Sequence, residues 1–265
     1  MRDMRTVVVI GAASGMGAAL ARRLATEGRP LLLADVDERR LAELCAHLGT
    51  SVESQRCDLT DEGDLDDLAR RLEGGFDALV VTAGLSPTMA PGRRIFDVDL
   101  RGPAMLLERV RPSADSDAVA LILASIAGHI APVVPEIDAA LDDPLADGFY
   151  DRLASAGVDP DDPATAYLYS KRGVQRLVRR SAISWAERGA RVVSVSPGIV
   201  DTPMGRQEND AQAAMADMIS MSPLGRMIEA DEVAAVMEFL ISPAARAITG
   251  TDVLVDGGCA AAMLG

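Results

Sequence analysis

Residues 6–17 read Thr-Val-Val-Val-Ile-Gly-Ala-Ala-Ser-Gly-Met-Gly, and this stretch decides the fold. The apolar run predicts a buried strand, and the Ala-rich segment after it predicts a helix from about residue 16 to 27. A plain tight turn between the two is one interpretation of the glycines. Their position directly after a strand, at the opening of a helix, favours a site where backbone N–H groups bind a pyrophosphate. The predicted contacts are Gly11, Ser14, Gly15, Met16 and Gly17.

Outward from this stretch, apolar runs alternate with segments of helical periodicity along the whole chain. Strands are predicted at residues 6–10, 31–34, 52–56, 77–82, 119–124, 191–195 and 252–255. Helices are predicted at 16–27, from about 37, at 61–72, at 97–109, through Tyr167 to about 187, and at 229–240. This alternation is typical of a parallel sheet covered on both faces. We therefore predict an α/β fold with a Rossmann-type doubly wound parallel sheet, in one domain over residues 1–265.

Three further sites along the predicted sheet edge suit a dinucleotide. Asp35 ends the second strand 20 residues after Gly15, which is the spacing of a carboxylate that binds the adenosine ribose. It could also cap the next helix, although Asp37 is better placed for that role. Asp58 and Leu59 follow the third strand and could flank the adenine, while Ala83 and Gly84 end the fourth, where small residues let a cofactor lie close.

The residues Tyr167-Leu168-Tyr169-Ser170-Lys171 carry the strongest catalytic signal. Lys171 is the only lysine among 26 Lys and Arg residues, so this position needs a compact ammonium rather than a guanidinium fork. A spacing of four places Tyr167 on the same helix face. A nearby cation lowers the pKa of a phenol, which is otherwise about 10 and too high for acid–base work at neutral pH. A coincidental pair is the alternative, and the lack of any other lysine argues against it.

Composition limits the classes of function. The net charge of −14 argues against nucleic-acid binding, and no apolar run approaches the length of a membrane span. The first apolar run is too short for a signal peptide. Cys45, Cys57 and Cys259 are odd in number and lack metal-ligand spacing, so we expect free thiols, no metal and a cytoplasmic protein.

Taken together, these motifs resemble the classical short-chain dehydrogenase/reductase family over residues 6–258. The resemblance implies that Ser125 orients the substrate oxygen and that Tyr167 exchanges its proton as the acid–base. It implies that Lys171 binds the nicotinamide ribose and lowers the Tyr167 pKa. It further implies that Thr202 and the backbone near Ile199 hold the carboxamide. The matching residues are the glycine turn, Asp58, Ala83, Gly84, Ser125, Tyr167, Lys171, Pro197, Gly198 and Thr202.

Two positions depart from the family pattern, which usually has Asn where this chain has Thr82 and Asp99. The chain contains a single asparagine, Asn209, so both changes fit a general scarcity. Asp99 is the more serious change, because the family's Asn belongs to the proton relay leading from Lys171. If the backbone carbonyl of residue 99 is the group that acts in the relay, Asp99 preserves it. If the Asp99 carboxylate instead approaches Lys171, it holds the ammonium charged. We expect Asp99 to be part of the catalytic set.

Tyr167 follows Ser125 by 42 residues, which exceeds the usual family spacing, so residues 129–163 are predicted to form a helical insertion. With Pro223–Arg226 and Ser242–Ala245, the insertion resembles the hydroxysteroid dehydrogenase/carbonyl reductase branch. It holds nine acids against Arg152 alone. We predict one solvated face and one packed face with Ile137, Leu141, Leu145, Phe149 and Leu153. We also predict that the insertion walls the substrate cleft opposite a lid formed by residues 204–222.

The function that these features favour is hydride transfer between NAD(H) and a secondary alcohol or ketone, with a steroid or terpenoid as candidate substrates. Asp35 would repel the 2′-phosphate of NADP, so NAD is the expected cofactor. A catalytically impaired NAD-binding regulator and a scaffold protein are the alternatives. We expect a homo-oligomer. A dimer joined near residues 252–255 is favoured, because the insertion would obstruct assembly through the Tyr167 helix.

Overall fold

The computed structural model describes residues 5–49, 52–211 and 213–265. Within these ranges, seven parallel strands form one sheet in the order β3-β2-β1-β4-β5-β6-β9. The strands are β1 (Val7–Ile10), β2 (Leu31–Asp35), β3 (Val52–Arg56), β4 (Ala78–Val81), β5 (Val119–Leu123), β6 (Arg191–Pro197) and β9 (Thr251–Val255). Two short strands, β7 (Val200–Asp201) and β8 (Ile228–Glu229), pair separately. The predicted doubly wound fold is confirmed.

The register of the sheet follows from its central strand. Val7 lies beside Leu31 on one side and Ala78 on the other, and all four residues of β1 are fully buried. Apolar side chains on both faces are what a parallel sheet covered twice requires. The chain order reverses direction between β1 and β4, and the carboxyl ends of these strands open a crevice of the kind that binds ligands in this architecture.

Helices cover both faces of the sheet. Their bounds are α1 (Gly15–Thr26), α2 (Glu38–Leu48), α3 (Glu62–Arg71), α4 (Gly92–Phe96), α5 (Gly102–Val110), α6 (Ile126–Ile130), α7 (Pro135–Leu141), α8 (Phe149–Ser155), α9 (Pro163–Ala186), α10 (Pro203–Ala211), α11 (Ala213–Met221), α12 (Ala230–Ile241) and α13 (Cys259–Leu264). The Asp37 and Asp61 side chains accept N–H groups of the first turns of α2 and α3, as N-caps do.

The helix predicted at 97–109 is present, but it begins earlier and contains a π-helical turn. The chain forms α4 first, then a π-helical turn over Asp97–Arg101, and then α5. Pro103 has no backbone N–H, so it fits the first turn of α5 but not a helix interior. The π-helical turn carries Asp99. Turns of this kind are frequent at functional sites.

Residues 200–227, for which no helix or strand is predicted above, contain α10 and α11 as well as β7. Most of α10 is polar, with one fully buried residue, Gly205, among those described in it. This composition gives a weak apolar periodicity, which is why the helix was not predicted. The two helices lie over the carboxyl end of the sheet and contribute to the cleft described below.

The insertion forms α7 and α8, as predicted, and its apolar side packs inward. Ile137, Leu141, Phe149 and Leu153 are buried in the same core as the sheet face under α9, while Leu145 is half-buried. The Phe149 ring meets Phe96 edge to face at 5.6 Å between centroids. This packing places the insertion on the side of the long helix α9.

The predicted solvated face is present, since six of the nine acids of the insertion are exposed, but Asp138, Asp142 and Asp162 are not. Asp138 is buried, and its two carboxylate oxygens each accept a hydrogen bond from Arg172, at 2.6 Å. Arg176 bonds both Asp138 and Asp142, and Arg180 lies 3.7 Å from Asp142. These arginines stand at intervals of four on α9. The insertion therefore covers a basic stripe of that helix.

Candidate active site

A cleft of about 580 Å³ opens at the carboxyl ends of the parallel strands. It brings together residues that are far apart in the sequence, from the first strand to the lid helices. All of the predicted cofactor residues line it: Gly11, Ser14, Gly15, Met16, Gly17, Asp35, Asp58, Leu59, Ala83, Gly84, Tyr167, Lys171, Pro197, Gly198, Ile199 and Thr202. Ser125 lines it as well, and Asp99 lies buried behind its wall.

The glycine turn is built for close backbone approach. Gly11 has a φ of +82°, and a Cβ there would lie 2.4 Å from the Ala83 nitrogen. A Cβ at Gly17 would lie 2.3 Å from the Gly11 carbonyl oxygen. Neither position can hold a side chain, so the strand, the turn and the opening of α1 fit together only with glycine. The resulting cradle at a helix N-terminus fits the pyrophosphate of a dinucleotide.

Asp35 lies at the end of β2, as predicted for a ribose-binding carboxylate. Its Oδ2 accepts the Ala13 N–H at 2.8 Å, and its Oδ1 accepts the Asp37 N–H at 3.0 Å. The backbone therefore fixes the carboxylate against the cleft, next to the glycine turn. Arg40, which was not predicted, lines the same region and pairs with Asp37 at 3.4 Å.

Asp58 lies on the far wall of the cofactor half of the cleft. Its carboxylate accepts bonds from the Thr60 N–H and hydroxyl and from the Arg94 guanidinium, 3.0 Å away. Although partial burial opposes them, these bonds hold the pKa of Asp58 below its usual value. Arg94 also lines the cleft and was not predicted from the sequence, because it stands far from any motif.

Ser125 and Tyr167 meet at the inner end of the cleft. Ser125 follows β5 and begins α6, where its hydroxyl also accepts the Ala127 N–H at 3.2 Å. Tyr167 extends from α9 and lines the same cleft as Ser125, whose hydroxyl favours the ionised phenol. Burial raises the pKa of the Tyr167 phenol, and the nearby Lys171 lowers it in part. In this structure the effect of burial is the larger of the two.

Lys171 lies one turn after Tyr167 on α9, with its Nζ 5.5 Å from the centre of the Tyr167 ring. Its Nζ is also 2.9 Å from Asp99 Oδ2, and both side chains are almost fully buried. Burial alone would lower the pKa of Lys171, but Asp99 outweighs it and raises that pKa. The Asp99 carboxylate therefore approaches the ammonium and keeps it charged, the second of the two arrangements considered above.

The backbone also fixes Asp99. Its Oδ1 accepts the Leu85 N–H at 2.7 Å, and burial raises the pKa of its carboxyl. A Cβ at Gly84 would come within 3.2 Å of Lys171 Nζ and 3.3 Å of Asp99 Oδ2. The small residues after β4 thus leave the room in which the ion pair sits.

The opposite wall consists of the segment after β6. Gly198 donates its N–H to Val255 at 2.9 Å, and the Ile199 carbonyl accepts from Ile228 at 2.8 Å. Thr202 is buried, and its hydroxyl accepts the Gly205 N–H at 3.0 Å in the first turn of α10. On the β4 side, the Thr82 hydroxyl donates a hydrogen bond to the Ile10 carbonyl at 2.9 Å. Thr82 thus links the end of β4 to β1, as the asparagine usual at this position in the family could.

In the outer half of the cleft, the sequence predicted the lid segment 204–222 but not which of its side chains line the cleft. Its lid side carries Met204, Met215 and Met218, and its other walls include Leu85, Met89 and Ile130. Flexible, polarisable methionines suit an apolar ligand of irregular shape. Glu208 on α10 also lines this half, and it is the acid of the lid that faces the cleft. Nothing in the polar pattern of α10 distinguishes it from its exposed neighbours.

The prediction that the insertion walls the substrate cleft is wrong. Ile130, at its start, lines the cleft, whereas no described residue of α7 or α8 does. The salt bridges from Asp138 and Asp142 draw these helices onto the outer face of α9. The lid part of that prediction is correct, because α10 and α11 border the cleft.

Among the described residues, no group of three His, Cys, Asp or Glu side chains is arranged to hold a metal ion. Cys45, Cys57 and Cys259 are free thiols. Likewise, none of the helices in the described part of the chain has the length and apolar character needed to cross a membrane.

A parallel sheet with a glycine cradle, an adjacent carboxylate and a Ser–Tyr–Lys group defines an oxidoreductase that uses a nucleotide cofactor. Comparison with known proteins agrees. A family model described as short chain dehydrogenase matches residues 5–134, and one described as Enoyl-(Acyl carrier protein) reductase matches residues 154–260. The chain belongs to the short-chain dehydrogenase/reductase family.

Individual relatives match over almost the whole chain. Short-chain dehydrogenase/reductase bsc3 of Alternaria brassicicola is 32% identical, over 97% of this chain and 96% of its own length. The 3-alpha-hydroxysteroid dehydrogenase/carbonyl reductase of Comamonas testosteroni is 28% identical, over 98% of each chain. The resemblance to the hydroxysteroid dehydrogenase/carbonyl reductase branch is thereby confirmed.

Two solved structures bear on the cofactor. The 3-alpha-hydroxysteroid dehydrogenase of Pseudomonas sp. B-0831, complexed with NADH, matches with a TM-score of 0.78, 29% identity and 98% coverage of each chain. BdcA in complex with NADPH matches with a TM-score of 0.76, 23% identity, and coverage of 96% of this chain and 93% of its own. The shared fold therefore accommodates either dinucleotide, and the choice depends on the residues of each chain.

Proposed function

We propose that this protein transfers hydride between NAD(H) and a secondary alcohol or ketone, with Tyr167 as the acid–base. The observation that carries the proposal is the meeting of the Ser125 hydroxyl, the Tyr167 phenol and the Lys171 ammonium at the inner end of one cleft. A coincidental Tyr–Lys pair would not require a serine from a distant part of the chain in the same cleft. The three groups together provide a proton path and an oxygen site.

Each residue has a distinct proposed role. Ser125 binds the substrate oxygen. Tyr167, hydrogen-bonded to the same oxygen, takes or gives the proton of the substrate hydroxyl. Lys171 favours the phenolate through its charge and would bind the nicotinamide ribose. Asp99 keeps that charge in place through the 2.9 Å contact. The dinucleotide, when bound, supplies the hydride donor or acceptor, and the chain supplies the orientation and the proton.

The cofactor preference proposed is NAD. Asp35 is held by two backbone N–H groups with its carboxylate on the cleft, so a 2′-phosphate there would meet a fixed negative charge. Arg40 is the cation nearest in sequence on that wall, and Asp37 already pairs with it. The NADH complex of the related hydroxysteroid dehydrogenase supports the same choice.

The apolar, methionine-rich outer half of the cleft supports an apolar secondary alcohol as substrate, with steroids and terpenoids as candidates. The curated hydroxysteroid relative supports that class. A catalytically impaired NAD-binding regulator is the second candidate. The observation that favours it is the Asp99–Lys171 ion pair, because the anion reduces the effect of the ammonium on Tyr167.

Assembly and location are also proposed. The insertion covers the Arg172–Arg180 face of α9, which supports a dimer formed elsewhere. Strand β9 is one of the two edge strands of the sheet and exposes Leu254, so the dimer is proposed to form there. The three free thiols support a reducing compartment, with the cytoplasm as the proposed location.

The test is a screen of secondary alcohols with NAD, followed through the absorbance of the reduced nicotinamide. Turnover of an apolar secondary alcohol, lost in Tyr167→Phe, is the expected result. NAD binding without turnover of any alcohol or ketone, in either direction, would instead favour the regulatory candidate. A matched screen with NADP decides the cofactor preference.

A further inference from the structure

Glu208 is a carboxylate in the substrate half of the cleft that the proposed reaction does not use. It lies on α10, half-buried, on the same cleft wall region as Met204 and Gly205. A carboxylate that loses water without a cationic partner is costly, so its position needs an explanation.

The partner of Glu208 within the chain is a neutral hydroxyl. Burial raises the pKa of Glu208, and the hydroxyl of the fully buried Ser86, in the loop after β4, lowers it in part. The Ser86 oxygen also lies 3.0 Å from the Thr88 oxygen. One serine satisfies one of about four acceptor positions of a carboxylate, which leaves Glu208 with acceptor capacity.

The reacting groups are close enough to Glu208 to sense its charge. Lys171 favours the ionised form of Glu208, while burial raises its pKa, and Glu208 in turn raises the pKa of Tyr167. Ser125, Tyr167 and Glu208 line the same cleft, so a substrate whose alcohol oxygen sits at Ser125 and Tyr167 can extend past Glu208. The rest of that wall is apolar, with Met89, Met215 and Met218 among its residues.

We propose that Glu208 determines substrate specificity by accepting a hydrogen bond from a second donor group, a hydroxyl or an amine, on an otherwise apolar secondary alcohol. The same carboxylate excludes substrates that carry a carboxylate of their own, since two like charges in a partly dry cleft repel. The preferred substrate class is thus a hydroxylated or aminated apolar alcohol, neutral or cationic. This inference rests on the proposed function and narrows its substrate class.

The probes are cyclohexanol, cyclohexane-1,4-diol and 4-hydroxycyclohexanecarboxylate, which differ in the group distant from the reacting alcohol. The natural protein is expected to favour the diol over the carboxylate by about 100-fold in kcat/KM, mainly through KM. Glu208→Gln keeps a hydrogen-bond acceptor without the charge. In this variant kcat/KM for 4-hydroxycyclohexanecarboxylate should therefore rise at least tenfold relative to that for the diol. Glu208→Leu should lose the preference for the diol over cyclohexanol.

Ratios between probes make the test specific. A change in the Tyr167 pKa on substitution of Glu208 alters the turnover of all three probes alike and cancels in the ratios. Asp210→Asn is the matched control, because Asp210 is exposed on the same helix. It should leave every ratio unchanged. Unaltered ratios in both Glu208 variants would overturn the inference while leaving the proposed function intact.

A binding measurement separates the two claims. The dissociation constants of the three probes for the NAD-loaded protein are measured by calorimetry for the natural protein and the variants. Absence of turnover with all three probes would refute their use as substrates. Tighter binding of the diol than of the carboxylate, with the difference lost in Glu208→Gln, would still support the role of Glu208. Equal binding of the diol and the carboxylate by the natural protein would overturn it.

Discussion

Lys171 Nζ lies 2.9 Å from Asp99 Oδ2, in a pocket that excludes water from both groups. The ammonium that should favour the Tyr167 phenolate therefore has an anion at its other side. Asp99 raises the pKa of Lys171, which keeps the ammonium charged, and it also raises that of Tyr167. The ion pair secures the position of Lys171 but reduces the effect of Lys171 on the phenol.

Asp99→Asn is expected to move the pH–rate profile for alcohol oxidation to lower pH. Oxidation needs the phenolate, so its rate rises as the pH passes through the Tyr167 pKa. Removal of the Asp99 charge lowers that pKa, and the rise then occurs at lower pH. An asparagine oxygen can still accept the Leu85 N–H, so the turn should persist.

The pH dependence of kcat checks this prediction, with Asp97→Asn as the control on the same π-helical turn. Asp97 accepts the Tyr150 hydroxyl at 2.5 Å and contacts the insertion rather than Lys171. Its replacement should leave the midpoint of the profile unchanged. A profile that moves to higher pH in Asp99→Asn would show that the carboxylate does not act on Tyr167 through its charge.

Asp35→Ala is expected to narrow the preference for NAD over NADP by about 10- to 100-fold, because a fixed like charge is removed from the 2′-phosphate position. The ratio of kcat/KM for the two cofactors measures the effect. Without the Asp35 charge, Arg40 on the same wall can attract the phosphate even though it pairs with Asp37. The double variant Asp35→Ala/Arg40→Ala should therefore show a smaller rise in kcat/KM for NADP. Comparable use of both cofactors by the natural protein would refute this account of the site.

Asp138→Asn is expected to lower the free energy of unfolding by about 1–3 kcal/mol, since charge-assisted bonds to two partly buried arginines are weakened. Urea denaturation measures the loss, and Asp147→Asn, at an exposed site in the same insertion, should change it by less than about 0.5 kcal/mol. Equal effects of the two substitutions would contradict the role of the Asp138 bridge.

The same bridge predicts a dependence on acid. Arg172 holds the pKa of Asp138 below its ordinary value. The stabilisation is therefore present above the unfolded-state pKa of about 3.9 and is lost as the pH falls through the lower, folded-state value. The stability difference between the natural protein and Asp138→Asn should shrink over that acidic range.

Leu254→Glu is expected to convert the proposed dimer to a monomer. Leu254 is exposed on the edge strand β9, and a carboxylate there would oppose its twin across a two-fold axis. Light scattering during gel filtration gives the mass. Val133→Glu, on the exposed insertion, is the control and should remain dimeric. A structure with two α9 helices packed against each other would contradict the prediction.

The sheet could be predicted because its signal is local. Val7–Ile10 and Val119–Leu123 are runs of apolar residues that a parallel sheet buries on both faces, and the observed strand bounds differ from those predicted by a residue or two in most cases. The π-helical turn that carries Asp99 was not predicted, because apolar periodicity does not distinguish it from an α-helical turn.

The cofactor wall could also be predicted, because its residues follow strand ends in a fixed order. Glu208 and Arg94 could not, since their place on the cleft depends on how separate helices pack. The arginine partners of the insertion acids could have been predicted from the sequence. Arg172 and Arg176 stand four apart on a predicted helix, a spacing that presents both to one neighbour.

The central claim is that Tyr167 exchanges the substrate proton, and the most direct test is the kcat of Tyr167→Phe with NAD and an alcohol turned over by the natural protein. The substitution removes the hydroxyl and leaves the ring. The buried Tyr169 provides the matched control, because Tyr169→Phe removes the same atom from the opposite side of α9. Lys171→Arg should also lose most of its kcat, with weaker NAD binding.

The account predicts that kcat in Tyr167→Phe falls by about 10²- to 10⁴-fold, the usual contribution of general acid–base catalysis, while NAD binding is preserved and Tyr169→Phe stays active. A Tyr167→Phe enzyme with near-normal kcat would contradict the mechanism.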